Sequence, residues 1–269
     1  MTVCIGAMCE GGKAVAIAAD RMVTFGAPMN LQTEPPAVKK ITPLNNSTAV
    51  LFSGNVPDGE DITSRVRTQV TALQRPTTSA IAELVKNAYV ELKKRRTEDT
   101  ILRPFIGADF ALFQQMITSS AASQILQQVL GLITQHNLGL EILVAGMDDA
   151  EAHLLVVGHP GILLPLDTLG YAAIGSGGLH ASIRLSLGRQ SKGMSFAETA
   201  YNVYEAKRAS EVSPGVGKGT DLDYIRNGQI GSFKESTFDL LEKLHKERPV
   251  LSDKEIVELE EECKKYDAR

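Results

Sequence analysis

The chain has 269 residues, long enough to bury a sizeable core in one large domain, and its 43% hydrophobic and 22% charged residues are ordinary for a globular protein. A net charge of -4 leaves no general basic surface for nucleic acid, and five scattered histidines and three cysteines (Cys4, Cys9, Cys263) lack metal-ligand spacing. The odd thiol count points to a reducing, cytoplasmic compartment, and neither a secretion signal nor a membrane span is expected.

The first elements are β. Thr2 to Cys9 and Lys13 to Ala19 flank the turn Glu10-Gly11-Gly12 and predict a hairpin, and the nearly continuous apolar run Ala16-Ile17-Ala18-Ala19 predicts a strand covered on both faces. A Gly- and Pro-rich loop (26–36) leads to two further strands, Val38 to Pro43 and Thr48 to Ser53. Helical spacing follows over Asp58 to Leu73 and Ser79 to Arg96, where Ile81, Leu84, Val85, Ala88, Tyr89 and Leu92 fall on one face. Residues 97–137 are read as a helical insertion with a helix at Ser123 to Gln135. Strands are expected at Leu140 to Gly146, Ala152 to Val157 and Tyr171 to Ile174. Helices at Leu179 to Leu187 and Phe196 to Arg208 precede a strand near Asp221 to Ile225. The tail has a helix at Phe233 to Lys246, a break at Pro249, and a helix from Asp253 to Tyr266 opened by a Ser252/Glu255 capping box. This order predicts two antiparallel sheets with helices outside them, a four-layer αββα arrangement of the α+β class. The predicted domain covers residues 1–231, with 232–269 as its helical C-terminal extension.

One residue carries chemical interest from its position alone. A mid-chain threonine lacks a base, but Thr2 lies directly behind Met1. If Met1 is removed, Thr2 carries its own base, an α-amine with an unperturbed pKa of about 7.7–8.0 that is partly neutral at cellular pH.

Thr2, the strand ending AIAAD (Asp20), the segment AVKKI (Lys40), the run LFSGNVPD (Gly54, Asp58) and the run AIGSGG (Ser176) occur in an order that resembles the landmarks of proteasome β-type subunits among the N-terminal-nucleophile (Ntn) hydrolases. The resemblance covers roughly residues 1–58 and 139–225, and the opening MTVCIG is most similar to the Anbu type among the bacterial and archaeal relatives, which include HslV. It implies a threonine peptidase needing no cofactor or metal, acting on peptide or protein substrates within a homo-oligomeric ring or stack, with any ATPase partner unknown. By that resemblance Thr2 attacks the carbonyl, Lys40 lies beside it, Asp20 holds Lys40, the Gly54 N–H faces the oxyanion, and Ser176 and Ser213 orient the amine. Thr24 then pairs with substrate backbone and Phe52 floors a side-chain pocket.

Several alternatives accompany this expectation. Cys4 is a rival nucleophile, since it stands at the family's usual distance before Asp20; a hairpin lengthened by one residue on each side would instead keep Thr2 opposite Asp20. Near the last helix's end the family carries an aspartate three residues before a serine. Here Ser213 matches the serine, whereas Ser210 replaces the aspartate unless Glu211 swings in. The GKGT run (217–220) invites a phosphate-loop reading, but its expected flanks, a helix before and a strand after, are the reverse of a P-loop. The same fold can also serve as a non-catalytic ring subunit, or the acyl group can pass to an amine in place of water.

Overall fold

The computed structural model describes residues 2–25, 31–35, 39–119, 124–149 and 151–247, without the side chains of Thr24 and Phe25. The predicted helix at 253–266, its capping box and Cys263 lie outside the described residues. The chain divides into two compact units, Met1–Ser232 and Phe233–Arg269.

In the first unit, β1 (Cys4–Cys9) and β2 (Ala14–Asp20) form the predicted hairpin. Three consecutive left-handed residues, Glu10 (φ 53°), Gly11 (72°) and Gly12 (85°), reverse the chain, a conformation for which the two glycines carry no Cβ penalty. The register pairs Cys4 with Ala19, and one step further the Asp20 N–H donates to the Val3 carbonyl at 3.2 Å. Val3, not Thr2, therefore stands opposite Asp20, which corrects the lengthened-hairpin expectation by one residue. Every position of β1 and β2 is buried, as expected for strands covered on both faces.

The hairpin is the centre of a five-stranded sheet ordered β10-β1-β2-β11-β12, where β10 is Tyr171–Ile174, β11 is Thr220–Arg226 and β12 is Gln229–Ser232. A second five-stranded sheet is ordered β5-β6-β7-β8-β9, comprising Ile41–Pro43, Thr48–Ser53, Glu141–Asp148, Glu151–Gly158 and Ile162–Pro165. All pairings in both sheets are antiparallel. Met8, Val15 and Ile17 of the first sheet meet Leu51, Leu143, Ala145 and Leu154 of the second in one apolar cluster between them. Burying each of the larger side chains here stabilises the sandwich by about 1.5–3 kcal/mol.

The alternation of β6 decides a second core. Leu51 faces the other sheet, whereas Val50 and Phe52 face α1 (Val56–Ala72) and α2 (Thr78–Thr97), where Ile62, Val66, Ile81, Val85, Tyr89 and Leu92 bury the predicted helical stripe. Asn55 caps α1 by accepting from the Asp58 N–H, and Thr77 caps α2 by accepting from the Ala80 N–H. On the outer face of the first sheet lie α6 (Gly178–Leu187) and α7 (Phe196–Ser210), the latter opened by a Ser195/Glu198 capping box. The predicted four-layer sandwich is thus the observed one.

The structure adds elements that the patterning did not predict. Within the expected loop, Leu31–Thr33 (β4) pairs with Val23–Phe25 (β3) as a separate ribbon, and β9 and β12 are short edge strands. The segment 97–137 continues α2 through a π-helical turn (Glu98–Leu102) into α3 (Arg103–Ile106), α4 (Phe110–Ser119) and α5 (Gln124–Gln135). Its own small cluster contains Ile101, Leu102, Phe113, Leu126 and Val129. In the second unit, α8 spans Glu235–Lys246, beginning two residues later than predicted.

Candidate active site

The register of β1 against β2 brings the chain's beginning to the end of β2, and the return into β5 delivers Lys40 to the same point. The Lys40 ammonium donates to the Thr2 hydroxyl and, at 2.7 Å, to Asp20 Oδ1. Thr2 is 3% exposed, Asp20 0% and Lys40 1%. An ammonium this deeply buried requires a counter-charge, and Asp20 supplies it. The carboxylate is fully engaged: Oδ1 also accepts from the Val3 N–H at 3.0 Å, while Oδ2 accepts from the Met22 N–H at 3.0 Å and the Gly217 N–H at 2.9 Å.

The other side of Thr2 meets the turn after β10. The Thr2 N–H donates to Ser176 Oγ at 3.1 Å, and the Thr2 carbonyl accepts from the Gly177 N–H at 3.2 Å. Thr2 therefore has a cation at its hydroxyl and a polar hydroxyl at its nitrogen. Gly54 follows β6 at φ +118°, and a Cβ there would fall 2.0 Å from the Gly139 carbonyl oxygen, so no other residue fits that backbone. Together with Ser53, Glu141, Gly175 and Ser176, Gly54 lines an open cleft of about 510 Å³.

Cys4, the rival nucleophile, lies in mid-strand. It is fully buried, its thiol donates to the Phe52 carbonyl at 3.4 Å, and burial pushes its pKa far up, with the Lys40 charge opposing only in part. That environment keeps sulfur protonated and out of reach.

Not every expected residue joins the centre. Phe52 is packed in the layer against α1 and is not among the residues lining the cleft. Thr24 lies in β3, in register with Gln32. Ser213 is buried in the turn after α7, where its carbonyl accepts from the Val216 N–H. Among the described residues, its hydroxyl makes no hydrogen bond to Thr2 or Ser176. Ser210, in the family aspartate's position, donates to the Lys207 carbonyl at 2.6 Å. Glu211 does not swing in: its carboxylate meets Lys207 at 2.6 Å and Arg208 at 3.1 Å. Asp58, one of the sequence landmarks, ties α1 to α2 through Arg96.

Sequence reasoning missed the brace behind Asp20. Gly217 lies in the GKGT loop, and that loop's N–H groups are already bound by the protein's own carboxylates. The Lys218 and Gly219 N–H groups donate to Glu34 at 2.6 and 3.2 Å, beside the Gly217 bond to Asp20. The loop follows α7 and leads into β11, opposite to the P-loop order, so the phosphate-loop alternative finds no vacant cradle. From below, the buried Lys207 ammonium holds the Lys218 carbonyl at 2.6 Å and pairs with Glu211. Burial holds the Lys207 pKa below the usual lysine range, with Glu211 opposing. No sequence signal beyond the glycine run pointed to Glu34 or Lys207. Among the described residues, no group of three His, Cys, Asp or Glu can hold a metal ion, and no helix is long and apolar enough to cross a membrane.

Two antiparallel sheets packed face to face between helical layers, with a threonine at the head of the central hairpin beside a buried lysine, define the Ntn-hydrolase fold. Residues 2–109, from Thr2 through α3, match the family model described as proteasome subunit. That match takes in Thr2, Asp20, Lys40 and Gly54, so this part of the chain is similar to proteasome subunits. No curated protein matches it.

Proposed function

We propose that this chain is a threonine-type peptidase acting through an acyl-enzyme on Thr2, once the bond joining Met1 to Thr2 has been cut. The observation that carries this reading is the Lys40 ammonium on the Thr2 hydroxyl, with Ser176 at the Thr2 nitrogen. The freed α-amine takes the hydroxyl proton, directly or through a water, and Oγ1 attacks the substrate carbonyl. Lys40 favours the developing alkoxide, and Asp20 keeps the ammonium in place. The Gly54 N–H receives the oxyanion; losing one donor of this kind typically costs about 100- to 1000-fold in rate. Ser176 aligns the amine, which then protonates the departing nitrogen. Water repeats the sequence and frees Thr2.

The match of residues 2–109 to the proteasome-subunit model supports assembly into a homo-oligomeric ring or stack, of the bacterial and archaeal proteasome-like kind and acting on peptide or protein substrates. The buried free thiols of Cys4 and Cys9 accord with a reducing, cytoplasmic setting. A non-catalytic subunit is the second reading, favoured by one observation: Glu211 faces Lys207 and Arg208, leaving the family's carboxylate without a counterpart at the amine.

Intact-mass spectrometry with an electrophilic acylating probe separates the two. The active chain lacks Met1, carries the adduct on Thr2, and loses labelling in Thr2→Ala. Retained Met1 with no adduct establishes the non-catalytic reading, and labelling lost only in Cys4→Ala transfers the role to the thiol.

A further inference from the structure

The cleft beside Gly54 and Ser176 has a character that the peptide-bond chemistry does not require. Its walls include Leu140, Val156, Ile162 and Leu164, and within it stands a carboxylate, Glu141. Ile162 and Leu164 are 49% and 51% exposed, so an aliphatic surface is presented to whatever enters. Glu141 begins β7 directly across the ladder from Ser53, the residue before Gly54. One of its oxygens, Oε2, accepts from the Gly175 N–H at 2.8 Å, which fixes the carboxylate beside the Ser176 turn. Among the described residues, its other oxygen takes no hydrogen bond and no Lys, Arg or His pairs with it. The cleft therefore combines aliphatic walls with a preorganised, uncompensated anion.

The chemistry of the centre decides which part of the substrate meets this cleft. After Oγ1 attacks, the proton held by the Thr2 amine goes to the departing nitrogen. That amine lies at Ser176, so the leaving amine departs on the Ser176 side, where the cleft opens.

We propose that this cleft is a leaving-group subsite selecting a lysine or arginine side chain, its methylenes along Val156, Ile162 and Leu164 and its cationic head on Glu141. The proposal rests on the threonine-nucleophile reading and deepens it. Long cationic side chains bury an aliphatic stem while keeping the charged head on a polar partner, and the cleft offers both. In the reverse direction the same subsite binds an acceptor amine. Its nitrogen attacks the Thr2 ester carbonyl, a C–N bond forms as the C–Oγ1 bond breaks, and the nitrogen's proton passes through the Thr2 amine to Oγ1.

The test supplies the full chain, confirmed by mass to begin at Thr2, with an activated peptide thioester and one of four acceptors: lysine amide, arginine amide, norleucine amide or glutamate amide. Liquid chromatography–mass spectrometry reads the ratio of transfer to hydrolysis. Lysine and arginine amides are expected to exceed norleucine amide, which has the stem without the charge, by about tenfold (~1.4 kcal/mol). Glu141→Gln keeps an acceptor for the Gly175 N–H but removes the charge, and should bring that ratio to within about twofold. Glu141→Lys should turn the preference toward glutamate amide. Equal partition among acceptors, transfer to none of them, or a cation preference that survives Glu141→Gln overturns the subsite while an acyl-Thr2 adduct leaves the nucleophile standing. Absence of that adduct sinks the nucleophile, and the subsite with it.

Discussion

Removing Asp20 and removing Lys40 should have unequal effects on folding, although both should abolish the proposed acylation of Thr2. The two groups form one buried ion pair, with side chains 0% and 2% exposed, but their other partners differ. Beyond Asp20 the Lys40 ammonium has the Thr2 hydroxyl, a neutral partner. Beyond Lys40 the Asp20 carboxylate has three backbone N–H donors, at Val3, Met22 and Gly217. Lys40→Met therefore leaves an anion that remains solvated by amides and loses one charge-assisted hydrogen bond, about 1.5–3 kcal/mol. Asp20→Ala leaves a buried ammonium without a counter-charge, about 3–5 kcal/mol, and also removes the acceptor from three N–H groups. Against a total stability of about 5–15 kcal/mol, that is enough to shift the unfolding midpoint severely. Urea denaturation followed by far-UV circular dichroism measures both. The double variant Asp20→Ala/Lys40→Met should recover part of the Asp20→Ala loss, because the stranded charge is gone. A Lys40→Met loss equal to or larger than that of Asp20→Ala would refute the assigned division of partners.

Three further expectations test other parts of the molecule. Gly217→Ala would place a Cβ 2.1 Å from Glu34 and 2.9 Å from Met22. It should cost about 1–3 kcal/mol in stability and, by moving the Gly217 N–H off Asp20, slow probe labelling more than a Lys218→Ala change on the same loop. Ser176→Ala should slow labelling by about 100-fold, the low end for a positioned acid–base partner, with little change in thermal midpoint. Asp223 has its pKa raised chiefly by burial, against the Ser232 hydrogen bond and together with Asp221. A carboxyl raised on folding binds protons more readily folded than unfolded, so it weakens the fold as pH rises above the unfolded value of 3.8. Asp223→Asn should consequently be the more stable protein at neutral pH, and urea titrations should show its advantage vanishing as the pH falls below that value.

Much of the architecture was legible from local pattern. The helical stripe Ile81 to Leu92 and the apolar run Ala16 to Ala19 each encode a period and a degree of burial within a few residues. Edge strands such as β9 and β12 were hidden because their residues are only partly buried, so no alternation marks them. The ribbon β3–β4 was hidden by the Gly- and Pro-rich stretch between its strands. At the centre, the order of Thr2, Asp20, Lys40, Gly54 and Ser176 was legible as a family resemblance. Order alone said nothing of the partner of Asp58, which is Arg96 within the helical layer, and it left open whether Glu211 replaces the family aspartate, whereas its carboxylate meets Lys207.

What the amino-acid sequence determined alone is which strongly patterned segments become strands and helices and which residue types are available for chemistry, since periodicity and capping act over a turn or a strand. What only the tertiary structure decided is which of those groups meet. Asp20 is joined by an N–H from residue 217, and Thr2 by a hydroxyl from residue 176. Hydrogen bonds hold over about 3 Å, and a one-residue slip of strand register exchanges every side chain between the two faces of a sheet. Contacts this short between segments this distant are set by the assembled sandwich, where the exclusion of water makes each missing partner costly.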